Sequence, residues 1–360
     1  MNNNLKVVIR VDASLAMGGG HVMRCLTLAE VLKENGADIE FICRKHEGNL
    51  IDKIRKSGFH VFELELLAGQ RCDNKLFHSH WLGVTQQQDT KDCINILQQI
   101  EVDWLVVDHY GIDEDWQKNL KEYCNKLMAI DDLADRKHQC DMLLDQTFGR
   151  QRQDYQELVP KSCKLLLGSQ YALLRPEFAK WRQYSIERRK HPVFRQLLIN
   201  MGSVDADNVT EQIVKEIETC DLPNDINITV VMGSSAPHLE SVKEIVGILP
   251  YKSEVKVDVD NMAEIMANAD MAIGAAGATT WERCCLGLPT IQIVIAKNQS
   301  VIAKLLARKD AIKFLQDMGQ LASMIKNPTS WMKSITNVAK QISDGLGSKR
   351  VASKIIDKKI

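Results

Sequence analysis

A chain of 360 residues, 45% hydrophobic and 26% charged, has the composition of an ordinary globular protein and the length for two domains, each with its own core. Its formal net charge of −1 supplies no positive field for nucleic acid or an anionic membrane, so an anionic substrate must be held by local donors. No apolar run reaches the roughly 18 residues of a membrane span, and the N-terminus enters a strand-like segment without a secretory core, which predicts a cytoplasmic protein.

The ten cysteines are scattered and form no CxxC pair, so reduced, mostly buried thiols and no metal site are expected. Short apolar runs alternate with helical patterns along most of the chain. In the first half, Lys6–Val11, Ile39–Cys43, Trp104–Val107, Leu127–Ile130, Met142–Leu144 and Leu165–Leu167 read as buried strands. His21–Asn35 carries Val22, Leu26, Ala29 and Leu32 at helical spacing, and Gly36 stops it. The second half restarts the rhythm with Leu197–Asn200, Ile228–Val231, Val255–Val257, Met271–Ile273 and Thr290–Val294, with helices at Val209–Glu218, Ala263–Asn268 and Thr280–Leu286. A βαβα order implies parallel sheets covered on both faces. The expected fold is therefore α/β, with two Rossmann-like domains facing across a cleft. Residues 1–175 form the first domain, 176–195 a charge-rich linker, 196–345 the second domain, and 346–360 a tail or helix.

In such sheets ligands sit beyond the carboxyl ends of strands. After the first strand come Asp12 and then Met17-Gly18-Gly19-Gly20-His21-Val22-Met23-Arg24. The glycines allow close approach to a ligand, and the helix start favours anions. The spacing is not that of a dinucleotide fingerprint, so no nicotinamide or flavin cofactor is expected. His21 lies on the first helical turn, where the positive helix end favours a neutral ring suited to taking a proton from water; it could equally cap its own loop. Arg24 could reach a phosphate or carboxylate, or brace the loop through Asp12.

The second half has its own small-residue loop, Gly274-Ala275-Ala276-Gly277-Ala278-Thr279-Thr280-Trp281-Glu282. Its amides and the Thr279 and Thr280 hydroxyls would cradle a diphosphate, with Gly277 and Ala278 at the turn. Glu282 reads as a bidentate acceptor for ribose hydroxyls or as an ordinary acid at a helix start, and Trp281 as core packing. Asn298 and Gln299 lie at another strand's carboxyl end. Gly202 and Ser203, after the first strand of this half, could approach a phosphate or the sugar, or make a simple turn.

These features together resemble the GT-B superfamily of nucleotide-sugar enzymes. Arg10-Val11-Asp12-Ala13-Ser14 and Met17–Ala29 resemble something narrower, the UDP-2,4-diacetamido-2,4,6-trideoxy-β-L-altropyranose hydrolases (PseG type) of pseudaminic acid biosynthesis. Val107-Asp108-His109-Tyr110-Gly111, Ile130-Asp131-Asp132, Cys140–Gln146, Tyr171–Phe178 and Lys297-Asn298-Gln299 extend the match over about residues 5–300. Met201-Gly202-Ser203 departs from it, since the family more often has a second glycine there. The resemblance implies cleavage of the anomeric C–O bond with inversion, giving UDP and free sugar without a metal. It implies that His21 activates water, that Tyr110 and Asn298 line the sugar site, and that Glu282 holds the ribose. Asp12 is an added expectation, as the carboxylate orienting the His21 ring. UDP-sugar and UDP are then the small-molecule partners; the sequence sets no oligomeric state. The rivals are a transferase of the same fold passing the sugar to an acceptor, a non-catalytic nucleotide-sugar sensor, and a hydrolase of another nucleotide-sugar.

Overall fold

The computed structural model describes residues 4–66, 75–295 and 299–357. The chain divides into two compact units, Met1–Leu173 with Gly347–Ile360, and Leu174–Leu346.

In the first unit the strands are β1 (Lys6–Val11), β2 (Asp38–Arg44), β3 (His60–Leu64), β4 (Trp104–Asp108), β5 (Lys126–Ile130), β6 (Met142–Asp145) and β7 (Lys164–Leu167). They form one parallel sheet in the order β3-β2-β1-β4-β5-β6-β7. β4 is buried along its whole length and β1 along nearly all of it, as expected for central strands with both faces covered. β3, not anticipated from the sequence, is an edge strand; His60 is exposed and Glu63 partly so, which breaks its apolar run.

One face of this sheet is covered by the helix Gly20–Glu34 through Val22, Cys25, Leu26 and Leu32. The C-terminal helix Gly347–Ile356 joins the same core through Val351, Ala352 and Ile355, and a side chain at Gly347 would run into the Ala172 backbone. The stretch 346–360 is thus almost entirely a docked part of the first unit. The opposite face packs against Cys93 and Leu97 of the helix Gln86–Leu97 and Trp116 and Leu120 of the helix Glu114–Leu120.

The second unit holds β8 (Gln196–Asn200), β9 (Asn227–Met232), β10 (Lys252–Val257), β11 (Met271–Ala275), β12 (Thr290–Ile293) and β13 (Lys313–Leu315). They form a parallel sheet in the order β10-β9-β8-β11-β12-β13 around a core that includes Ile199, Ile213, Val230, Ile273 and Ile291. The stretch 176–195, expected as a linker, is largely the helix Pro176–Arg188, which belongs to this unit. Its charge has a use: Arg182 donates to the Cys285, Lys340 and Ser343 carbonyls, and buried Arg189 donates to those of Met266 and Ala269 at 2.9 and 2.7 Å. Those carbonyls end other helices, where a cation is favoured and acceptors lack intrahelical partners. Among the described residues no helix is long and apolar enough to cross a membrane.

Candidate active site

In the first unit the strand order reverses between β1 and β4, which pair with Val11 opposite Asp108. That is where doubly wound sheets open a crevice at their carboxyl ends. The three glycines after β1 have separate tasks. Gly18 takes a left-handed φ of +71°, and its N–H closes a turn onto the Ser14 carbonyl at 2.8 Å. A Cβ on Gly19 would stand 2.8 Å from Leu50, whereas one on Gly18 or Gly20 would meet nothing within 4 Å. Of the three only Gly20 is exposed, and it is the glycine left open to a ligand. The helix it begins has no side-chain cap and no acid in its first turn, so its leading amides are not satisfied by a side chain.

His21 is 12% exposed, and its Nδ1 lies 2.6 Å from Asp108 Oδ1. An ionised carboxylate only accepts, so Nδ1 carries a proton, and whenever the ring is neutral Nε2 is its acceptor. Asp108 also takes two bonds from Arg24, Nε at 2.6 Å and NH2 at 2.7 Å. Burial works against the Asp108 charge, but Arg24 and then His21 outweigh it and hold the carboxyl well below the usual range. Arg24 also donates to Asp132, which accepts the Tyr110 hydroxyl at 2.8 Å. Burial, and then Asp132, push the Tyr110 phenol well above its ordinary pKa.

Two expectations are corrected. Asp12 does not orient His21. It is fully buried, salt-bridged to Arg10 NH1 at 2.6 Å, and accepts the Arg44 backbone N–H at 2.7 Å. His46 and His109 face its other oxygen at 3.5 Å. His109 Nδ1 accepts the Gly111 N–H, so its Nε2 carries a proton toward Asp12 and is not a free metal ligand. Arg24 does brace the site, but through Asp108 and Asp132, and its guanidinium is committed to those carboxylates. The two orienting residues that sequence reasoning missed, Asp108 and Asp132, sit within the motifs 107–111 and 130–132. The available signal was an acid at the carboxyl end of an apolar strand, β4 or β5.

In the second unit the order reverses between β8 and β11, paired with Asn200 opposite Gly274. Gly274 serves the protein itself: a Cβ there would lie 2.5 Å from Arg283. Arg283, also missed in the sequence, is buried beneath the loop and donates to the Ala275 carbonyl at 2.7 Å. Burial lowers its pKa to about 10. Gly277 and Thr279 are partly exposed and Ala278 is exposed. The Gln299 amide nitrogen comes within 3.9 Å of where a Gly277 Cβ would be, and the Thr279 hydroxyl accepts from Arg283 at 3.1 Å. Thr280 departs from the expected cradle, being buried with its hydroxyl 3.3 Å from the Gln292 side-chain oxygen. Trp281 is core, as expected. Glu282 is partly exposed; burial raises its pKa, and Arg175 and Arg283 oppose the rise. Gly202 has φ +97° with open space around it, and exposed Ser203 accepts the Gly233 N–H at 3.1 Å through its carbonyl. Asn298 lies outside the described residues.

Residues 196–343 match the glycosyltransferase family 28 C-terminal domain. Among solved structures, MurG of Acinetobacter baumannii superposes with a TM-score of 0.69 at 17% identity, over 98% of this chain and 99% of that one. The UDP-GlcNAc 2-epimerase of Neisseria meningitidis gives 0.64 at 10% identity, over 99% and 100%. Fold and domain match together define a GT-B protein, built from two Rossmann-like units. Within that class, the UDP-2,4-diacetamido-2,4,6-trideoxy-β-L-altropyranose hydrolase of Campylobacter jejuni is 30% identical over 306 residues, 85% of this chain and 97% of that protein. The chain belongs to the family of that hydrolase. A spore coat polysaccharide biosynthesis protein of Bacillus subtilis is 23% identical over 85% of this chain and 82% of its own length. An uncharacterized protein of Methanocaldococcus jannaschii is 27% identical over 82% of this chain, which spans 56% of that longer protein.

Proposed function

We propose that the protein hydrolyses a UDP-activated, N-acetylated amino sugar, UDP-2,4-diacetamido-2,4,6-trideoxy-β-L-altropyranose being the substrate its Campylobacter jejuni relative suggests. Water adds to the anomeric carbon as the bond from that carbon to the UDP oxygen breaks. His21 Nε2 takes the water's proton, and UDP leaves with the bonding pair, inverting the anomeric centre. The observation that carries this reading is the 2.6 Å contact of His21 Nδ1 with Asp108, which makes Nε2 the free acceptor beside an open glycine turn. Tyr110, edge-on to the His21 ring at 4.6 Å, is assigned to the sugar. Gly202, Ser203, Gly277, Ala278, Thr279, Gln299 and Asn298 are assigned to the nucleotide and diphosphate, and Glu282 to the ribose. Amide and hydroxyl donors there would stabilise the leaving diphosphate, and this chemistry calls for no metal or other cofactor.

Turnover in ¹⁸O-enriched water tests the bond cleaved. Label in the released sugar is expected; label in the UDP phosphate would mean attack at phosphorus and overturn the mechanism. The match to a glycosyltransferase family 28 domain favours a second reading, transfer of the sugar to an acceptor. UDP release at full rate without any acceptor rules that reading out.

A further inference from the structure

The residues around His21 include two rings that the mechanism above does not use, both packed on Tyr110. His78 and Trp81 lie in the short turn 75–82, fixed at both ends. Lys75 pairs with Asp113 and Asp115 at 2.7 and 2.6 Å, the Leu76 N–H bonds the Ser79 hydroxyl at 2.9 Å, and Leu82 is buried. The turn is pressed onto the loop after β4, where a Cβ on Gly111 would stand only 3.0 Å from the His78 carbonyl. Trp81 stacks on Tyr110 with ring centres 5.8 Å apart and planes 24° from parallel. His78 leans on both, 4.4 Å from Trp81 and 5.5 Å from Tyr110. Tyr110 and Trp81 each meet the His21 ring edge-on, at 4.6 and 6.1 Å.

His78 and Trp81 remain partly exposed, so ring surface is open beside His21. The Tyr110 hydroxyl is spent on Asp132, and burial lowers the pKa of His78, which favours its uncharged ring. What the group presents beside His21 is mainly ring surface, which attracts C–H and methyl groups; the Trp81 indole N–H and the His78 ring nitrogens are its remaining polar atoms.

We propose that His78 and Trp81, with Tyr110, form a ring shelf that binds a methyl-bearing edge of the sugar beside His21, and that these two residues set sugar specificity. The ligand class is a hexose carrying a deoxy C6 methyl or acetamido methyls on the face turned to the shelf. This rests on the hydrolase reading, and binding and turnover are therefore measured separately. Binding of UDP and of UDP-2,4-diacetamido-2,4,6-trideoxy-β-L-altropyranose is titrated calorimetrically on His21→Asn protein, with and without Trp81→Ala or His78→Ala. Turnover of that sugar nucleotide and of UDP-GlcNAc, which has a hydroxyl at C6, is followed on the His21 enzyme.

Each alanine variant is expected to weaken the diacetamido sugar nucleotide about tenfold, in Kd and in KM, while UDP affinity stays within about twofold. The preference over UDP-GlcNAc in kcat/KM should fall by a similar factor, and Trp81→Phe, which keeps a ring, should restore most of it. Unchanged binding in both alanine variants, or equal losses for UDP alone and for both sugars, would overturn the shelf. If the protein turns over neither sugar nucleotide yet Trp81→Ala still weakens the methyl-bearing one selectively, the hydrolase reading fails and the shelf stands. If no sugar nucleotide is turned over and none binds better than UDP, both fail.

Discussion

Replacing Asp108 with asparagine keeps the size of the side chain beside His21 but removes the charge that fixes a proton on Nδ1. The ring can then adopt the other tautomer, with Nε2 protonated and unable to take a proton. Turnover is expected to fall by about 10²-fold or more, and stability by about 3 kcal/mol because buried Arg24 loses a carboxylate. Rates and urea melts on the same preparation check both. His21→Asn should cost roughly 10²–10⁴-fold in kcat and leave UDP affinity within about twofold. Near-normal turnover in that variant would remove His21 from the mechanism.

A neighbouring group carries its own pH dependence. The Tyr155 hydroxyl lies 2.8 Å from both Asp131 and Asp145, yet a phenol has one proton to give, so one of the two carboxyls must bring another. Burial disfavours the Asp131 charge, but Arg136 and His138 hold that carboxyl ionised. Burial, and then the like charge of Asp132, push Asp145 up to about 6 against the opposing charge of Arg150, which donates to the same carboxylate. The folded chain therefore keeps the Asp145 proton to about pH 6, while the unfolded chain releases it near the ordinary carboxylate value of about 4. Between those values the native state binds more protons, so this contribution to stability is lost as pH rises through the window. Relative to Asp145→Asn, the protein should lose on the order of 3 kcal/mol between about pH 4 and pH 7. Urea melts of the two proteins running parallel across that range would count against the assignment.

At the scale of elements, the central strands were legible because burial on both faces leaves a continuous apolar run. β1, β4, β8 and β11 all read this way, and the loops after them hold the candidate site. β3 and β13 were not legible, being short edge strands with partly exposed residues. The helix Pro176–Arg188 was read as a linker because its charge density looks solvated; only the carbonyl ends of other helices explain buried Arg189. Arg189→Met should cost about 2–4 kcal/mol by leaving those carbonyls unpaired, although it removes no large apolar contact. Thermal or urea melts measure this directly. At the site itself, the Gly-His turn and the small-residue loop were visible as motifs. Asp108 was not visible as the partner of His21, because 87 residues separate them and only strand pairing brings them together.

For the molecule as a whole, the C-terminal helix belongs to the unit that begins the chain. Truncation after Leu346 should expose the core around Val22, Leu26 and Leu32, so the first unit melts at lower temperature. The second unit should still bind UDP, and UDP at a hundred times its Kd should stabilise that unit by about 2.7 kcal/mol. Calorimetric scans with and without UDP separate the two transitions; a single transition lowered throughout and insensitive to UDP would contradict this division.

By itself the sequence determined the α/β class, the two-unit plan, and the loops where chemistry belongs. Those follow from local patterns, namely apolar runs, helical spacing and glycines at strand ends. Tertiary structure alone decided which carboxylate serves His21, which glycine is open to a ligand, and which arginines are spent inside the protein. Each of these depends on pairing between distant strands and on the burial of charge, and neither leaves a mark on neighbouring residues in the chain. Asp12 and Asp108 both follow directly on apolar strand runs and look alike in sequence. The sheet turns one toward Arg10 and the other toward His21, and that difference makes His21 a candidate base.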